Sequence, residues 1–232
     1  MNSFLPINNK KISILGAGKS GVAAAKLAYN LGANVFISDI NVKNKISIKG
    51  VKSEFGKHSE RILESDIVIK SPGINNNSNL IQKIINHSIP IVSEIEFASW
   101  FTNGFIIALT GTNGKSTTVE LIYNILKNYG LNTFLSGNIG TPFSEVVLGE
   151  IINKVNDEKF HVLEISSFQL EDIKYFKPDI SIILNIKPDH LDRYDCFQDY
   201  VNQKLKILVN QDSNCYTIIN ESDIQDFQNK KN

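Results

Sequence analysis

Two glycine-rich turns concentrate the residues of this 232-residue chain that could do chemistry. The first, Gly16-Ala17-Gly18-Lys19-Ser20-Gly21, fits G-x-G-x-x-G, and Asp39 closes the next apolar run at the ~20-residue distance of a dinucleotide fingerprint. Glycines there let a backbone approach a phosphate at a helix N-terminus, and the acid can accept bonds from a ribose. Taken alone, the turn reads as a dinucleotide site for a cofactor such as NAD, or as a tight strand-to-helix turn with no ligand. The second turn is Thr110-Gly111-Thr112-Asn113-Gly114-Lys115-Ser116-Thr117. Its amides would cradle phosphates, Lys115 would neutralise charge near the β and γ phosphates, and Ser116 could ligate Mg²⁺. Leu109 stands where the commoner G-x-x-x-x-G-K-[ST] loop has its first glycine, so this loop is two residues shorter, and a chance match is the alternative.

Four further residues stand at informative places. Glu164 ends an apolar run, which makes it a Mg²⁺ ligand or a solvated strand-end charge. His190 follows another run, flanked by Asp189 and Asp192, and reads as a ligand or a structural histidine. Asn138 sits in a glycine turn and serves a ligand or the turn itself. Lys204, on the margin of a helical apolar face, reads from its surroundings as a surface lysine.

Alternating apolar runs and amphipathic stretches must position these groups, a pattern that predicts βαβ units and parallel sheets. Strands are expected at 12–15, 35–39, 66–70 and 89–93, with helices over 19–31, stopped by Gly32, and near 80–85. A second series has strands at 105–110, 132–136, 161–166, 179–186 and 215–220. Its helices fall over 116–129, stopped by Gly130, and near 197–209. The mixed segment 94–104 marks a boundary, giving domains 1–98 and 99–232. The expected fold class is α/β, a Rossmann-like N-terminal domain followed by a partial P-loop α/β domain.

Composition narrows the classes. With 24 Lys plus Arg against 24 Asp plus Glu, there is no overall field to attract nucleic acid or a membrane surface. Residues before position 98 include 12 basic and 7 acidic side chains, a mild bias toward an anionic ligand. Two cysteines without CxxC spacing argue against a disulfide framework or thiolate cluster. No run reaches the ~20 apolar residues of a membrane span. A cytoplasmic monomer is expected.

The second turn, with GNIGTP (137–142), EISSFQLE (164–171), ILNIKPDHLDRY (183–194), SPGI (71–74) and SEIEF (93–97), resembles the Mur ligases of peptidoglycan synthesis. The resemblance runs from residue 12 to about residue 220 and implies ATP and Mg²⁺ as cofactors. The substrates it implies are UDP-N-acetylmuramoyl-L-alanine and D-glutamate. The first turn would then hold UDP rather than NAD, through Gly18, Lys19, Ser20 and Asp39, with Ser71, Pro72 and Gly73 as a neighbouring wall. Gly111, Thr112, Asn113, Gly114, Lys115, Ser116 and Thr117 would bind ATP, and Asn138 and Ser166 would touch substrate. Lys115, Asn138, His190 and Lys204 would be catalytic, and Ser116, Glu164, His190 and a carbamylated Lys204 would hold metal.

The family's C-terminal domain, which carries the D-glutamate site, has no counterpart among these motifs. The resemblance therefore implies a fragment that does not catalyse ligation alone. The rival readings are an NAD-dependent oxidoreductase, favoured by the first turn with Asp39, and a non-catalytic nucleotide-binding module.

Overall fold

A computed structural model describes residues 6–155, 157–189, 193–194 and 196–220. The chain divides into two compact units, each built on a five-stranded parallel sheet.

The first unit comprises Met1–Thr102 with Pro142–Val155 and Asp172–Lys174. Its strands are β1 (Lys11–Leu15), β2 (Asn34–Asp39), β3 (Lys52–Phe55), β4 (Ile67–Lys70) and β5 (Ile91–Ser93), ordered β3-β2-β1-β4-β5. The order reverses between β1 and β4, and such a switch point opens a crevice at the carboxyl ends of its strands. Leu15, Phe36, Ile62, Val68, Ile81, Ile84 and Ile89 form a core beneath it. Helix α1 (Lys19–Asn30) ends as expected, with Gly32 at φ +85° just beyond the last turn. Helices α2 (Asn79–Asn86) and α3 (Glu94–Ser99) complete the first stretch of this unit.

A single cut at residue 98 does not describe the packing. Ala23, Ala24 and Ala25 of α1 are all buried, and three successive helical positions cannot face one sheet. The second partner is a helix from later in the chain, Phe143–Asn153, which packs on α1 and α3 and buries Phe143, Val147 and Leu148. Glu94, 2% exposed, accepts the Ser144 N–H in the first turn of that helix. Burial pushes the Glu94 carboxyl up to about 7, against the lowering effect of its bonds with Ser144.

The second unit comprises Asn103–Thr141, Asn156–Glu171 and Tyr175–Asn232. Its strands are β6 (Phe105–Thr110), β7 (Thr133–Gly137), β8 (Phe160–Glu164), β9 (Ile180–Ile183) and β10 (Tyr216–Ile219), ordered β10-β9-β6-β8-β7. Helix α4 (Lys115–Asn128) follows β6 and is closed by Gly130 at φ +88°. The helix at Phe143–Asn153 is α5 in chain order, followed by α6 (Ser167–Leu170) and α7 (Phe197–Leu205). Ile107, Leu109, Val119, Val162 and Ile182 form the core. Among the described residues no helix is long and apolar enough to cross a membrane.

Candidate functional site

In the first unit, both predicted motifs meet at the β1/β4 switch point. Gly16 takes φ +93°, and a Cβ there would lie 2.5 Å from the Ser71 hydroxyl oxygen, so only glycine lets the two turns close on each other. Ser71 N–H donates to the Leu15 carbonyl, which fixes the SPGI turn beside the glycine turn. Lys70, buried at the end of β4, pins that turn from beneath. Its Nζ donates to the Ile74 carbonyl at 3.0 Å and pairs with Asp172 at 2.9 Å. Gly18 caps α1 without a side-chain bond, so the first amides of the helix lack side-chain partners and suit an anion. Gly18, Lys19 and Gly73 are exposed there, with Ser20, Ser71 and Pro72 half-buried.

Asp39 is placed differently from a free ribose acceptor. Its Oδ2 accepts the Ala17 N–H at 2.7 Å and the Asn44 amide at 2.8 Å, and its Oδ1 accepts the Asn41 N–H at 2.7 Å. Burial works to raise its pKa, but these bonds outweigh it and hold the carboxyl below the ordinary range. One of about four acceptor positions is thus spent on the glycine turn and two on the segment after β2.

In the second unit, the loop after β6 lies beside the ends of β8 and β9. Gly114, at φ +83°, caps α4 with no side-chain bond, again leaving helix amides for an anion. Lys115 Nζ reaches back across the loop to the Thr112 carbonyl at 2.9 Å. Glu164, 1% exposed at the end of β8, is the hub. Its Oε2 accepts the Ser116 hydroxyl at 2.8 Å, and its Oε1 accepts the Asn138 side-chain amide at 2.7 Å. Gly137 permits this closeness, because a Cβ there would lie 2.3 Å from the Glu164 carbonyl. Thr117 is exposed in the first turn of α4.

Two residues that clamp the loop were not singled out from the sequence. Asn185 accepts the Asn113 N–H through Oδ1 and donates through its amide to the Asn113 carbonyl, both at 3.0 Å, while its own carbonyl accepts the Thr112 N–H. Tyr200, 1% exposed, sets its hydroxyl 3.2 Å from the Thr112 hydroxyl. The only available signal was their position inside the recognised stretch and one turn before Lys204.

Lys204 is not a surface lysine. It is 2% exposed, because α7 turns its apolar margin onto the loop, and its Nζ donates to the Gly111 carbonyl at 2.8 Å above the Tyr200 ring. Burial first, and then the Lys115 charge, lower its pKa to about 7 against the opposing effect of Asp189. Ser166 serves as the N-cap of α6 in a reciprocal bond pair with Gln169. His190 and Asp192 lie outside the described residues.

These features define an α/β protein with two open parallel sheets, each with a glycine turn that leads into a helix at the sheet's carboxyl edge. Family models match residues 10–93, as the Mur ligase MurD-like N-terminal domain, and residues 109–232, as the Mur ligase middle domain. The chain belongs to the Mur ligase family. It is 46% identical over 211 residues to the UDP-N-acetylmuramoylalanine--D-glutamate ligase of Bacteroides fragilis, covering 88% of this chain and 46% of that protein. The ligase of the same name from Christiangramia forsetii is 43% identical over 221 residues, 92% of this chain and 48% of the relative. The chain thus spans about half the length of the curated relatives it matches.

Among solved structures, UDP-N-acetylmuramate:L-alanyl-gamma-D-glutamyl-meso-diaminopimelate ligase from Neisseria meningitides superimposes with a TM-score of 0.61 at 18% identity, covering 95% of this chain and 75% of that one. A murein peptide ligase from Psychrobacter arcticus gives a TM-score of 0.56 at 20% identity, covering 95% and 51%. Both show the fold.

Proposed function

We propose that this chain carries the UDP-sugar and ATP sites of an enzyme that joins D-glutamate to UDP-N-acetylmuramoyl-L-alanine. The observation that carries this reading is the Glu164 carboxylate, which holds Ser116 of the phosphate loop on one oxygen and Asn138 on the other. In the reaction, the ATP γ-phosphoryl group passes to the substrate carboxylate, giving an acyl phosphate and ADP. The D-glutamate amine then attacks, and a tetrahedral intermediate collapses to the amide, phosphate and a proton. The α4 amides and Lys115 hold and neutralise the phosphates. Asn185 and Tyr200 keep the loop in shape, so catalysis is mainly positioning and charge stabilisation.

The donor set fits magnesium. Ser116 and Glu164 offer hard oxygens beside the phosphate loop. When bound, magnesium would neutralise phosphate charge. By the resemblance, His190 and carbamylated Lys204 would complete its ligands. The reading makes the protein a cytoplasmic monomer without nucleic-acid or membrane partners, in keeping with its balanced charge and two free cysteines. The occupied Asp39 carboxylate weighs against the NAD alternative.

Isothermal calorimetry on the 232-residue chain is expected to show binding of UDP-N-acetylmuramoyl-L-alanine and of ATP with Mg²⁺. Tight NAD binding without response to the UDP-sugar would overturn the reading. Lys204 carbamylation, in which the amine adds to CO₂ and releases a proton, is checked with ¹³C-bicarbonate. A carbamate carbonyl resonance is expected in the parent chain and absent in Lys204→Ala. The same resonance in both would remove Lys204 from the metal ligands.

A further inference from the structure

A second polar cluster stands at the carboxyl edge of the first sheet, outside every motif recognised in the sequence. Ser38, fully buried next to Asp39 on β2, lies opposite Glu54 on β3. Its Oγ is 2.7 Å from Glu54 Oε1 and 2.7 Å from Nδ1 of His58, three residues beyond β3. Glu54 Oε1 also accepts the Ser59 N–H at 2.7 Å. Burial acts to raise the Glu54 pKa, but these bonds hold it below the ordinary value, so the group is a carboxylate. A carboxylate only accepts, and a serine hydroxyl carries one proton.

That single proton assigns the histidine. Ser38 donates to the Glu54 carboxylate, the stronger charge-assisted bond, with the Lys57 carbonyl at 3.4 Å as its other acceptor. Either way the Ser38 oxygen must accept from His58, so His58 carries a proton on Nδ1, and in the neutral ring Nε2 is then a bare acceptor. Burial lowers the His58 pKa against the opposing charges of Glu54 and Asp39, which favours the neutral ring. Among the described residues, Nε2 has no hydrogen-bond partner, and it is not buried. The ring is anchored through Nδ1 at the edge where Asp39, next to Ser38, binds the glycine turn through Ala17.

We infer that His58 Nε2 accepts a hydrogen bond from a ribose hydroxyl of the nucleoside diphosphate at the first turn, and so selects ribonucleotides there. In dinucleotide folds the acid ending the second strand does this work. Here most of Asp39's acceptor positions go to Ala17, Asn41 and Asn44, and the acceptor one strand over is a histidine held through Nδ1. The inference rests on the UDP reading of this unit.

The test compares UDP, 2′-deoxy-UDP, 3′-deoxy-UDP and N3-methyl-UDP by calorimetry on the parent chain and on His58→Ala. The parent is expected to lose roughly 3- to 10-fold in affinity for one deoxy probe, the worth of one hydrogen bond. His58→Ala should bind UDP weaker by a similar factor and no longer discriminate. Equal discrimination in the variant, or a parent that rejects only N3-methyl-UDP, would overturn the inference while leaving the UDP site standing. A parent that binds none of the probes would overturn both. Independently of the variant's folding, ¹⁵N spectra of the parent are expected to show the neutral Nδ1–H tautomer of His58, with the Nε2 resonance shifting on UDP addition. An Nε2–H tautomer would refute the inference directly.

Discussion

Lys115→Ala is expected to weaken ATP binding roughly 10- to 100-fold, the range for losing charge-assisted bonds to phosphate. Lys115 is the only cation within the loop, and its Nζ already lies across the loop on the Thr112 carbonyl. Lys204, which also lies against the loop, is committed to the Gly111 carbonyl and is partly neutral at pH 7. The fold should survive, because Gly114 shapes the start of α4 and Val119 anchors it in the core. Calorimetric titration with ATP and Mg²⁺ reads the effect. An unchanged dissociation constant would show that the loop holds phosphates by its amides alone and would displace Lys115 from its assigned role.

Gly21→Ala should damage the first unit more than any other single-methyl change. A Cβ at Gly21 would sit 2.0 Å from the Gly16 carbonyl oxygen, and neither side can yield at low cost. Gly16 is held by its N–H to the Ser38 carbonyl and by Ser71 above it. α1 cannot retreat, because its alanines are buried between the sheet and α5. Overpacking of this kind costs about 3 kcal/mol at the upper end of the usual range. The fluorescence of Trp100, the chain's only tryptophan and part of this unit, should report a lower urea midpoint. UDP affinity should fall with it while ATP affinity stays. An alanine variant with the parent midpoint would contradict the close approach of turn and helix.

The α/β class, both glycine turns and membership of the family were legible in the sequence because each rests on local spacing. Parallel strands buried on both faces need short apolar runs, helices need a 3.6-residue period, and glycine stands where the backbone needs positive φ, as at Gly16, Gly32, Gly114 and Gly130. Where the pattern is weak, elements are not legible in the sequence. The edge strand β3, Lys-Ser-Glu-Phe, has no apolar run and is only half-covered. α5 carries apolar residues on several sides because it is packed on more than one.

The fate of individual polar groups was decided by the tertiary structure. Asp39 reads as a ribose acceptor until the Ala17 amide, 22 residues away, is seen to occupy it. Lys204 reads as a surface residue until the Gly111 carbonyl, 93 residues away, is seen to receive its amine. Ser116 and Glu164 meet across 48 residues, and the proton on His58 follows from a serine and a glutamate on neighbouring strands. A side chain's burial and hydrogen-bond partners are pairings between distant parts of the chain, and no local period encodes them. The sequence by itself determined which chemistry is present, whereas the fold decided which groups are spent on structure and which remain free for a ligand.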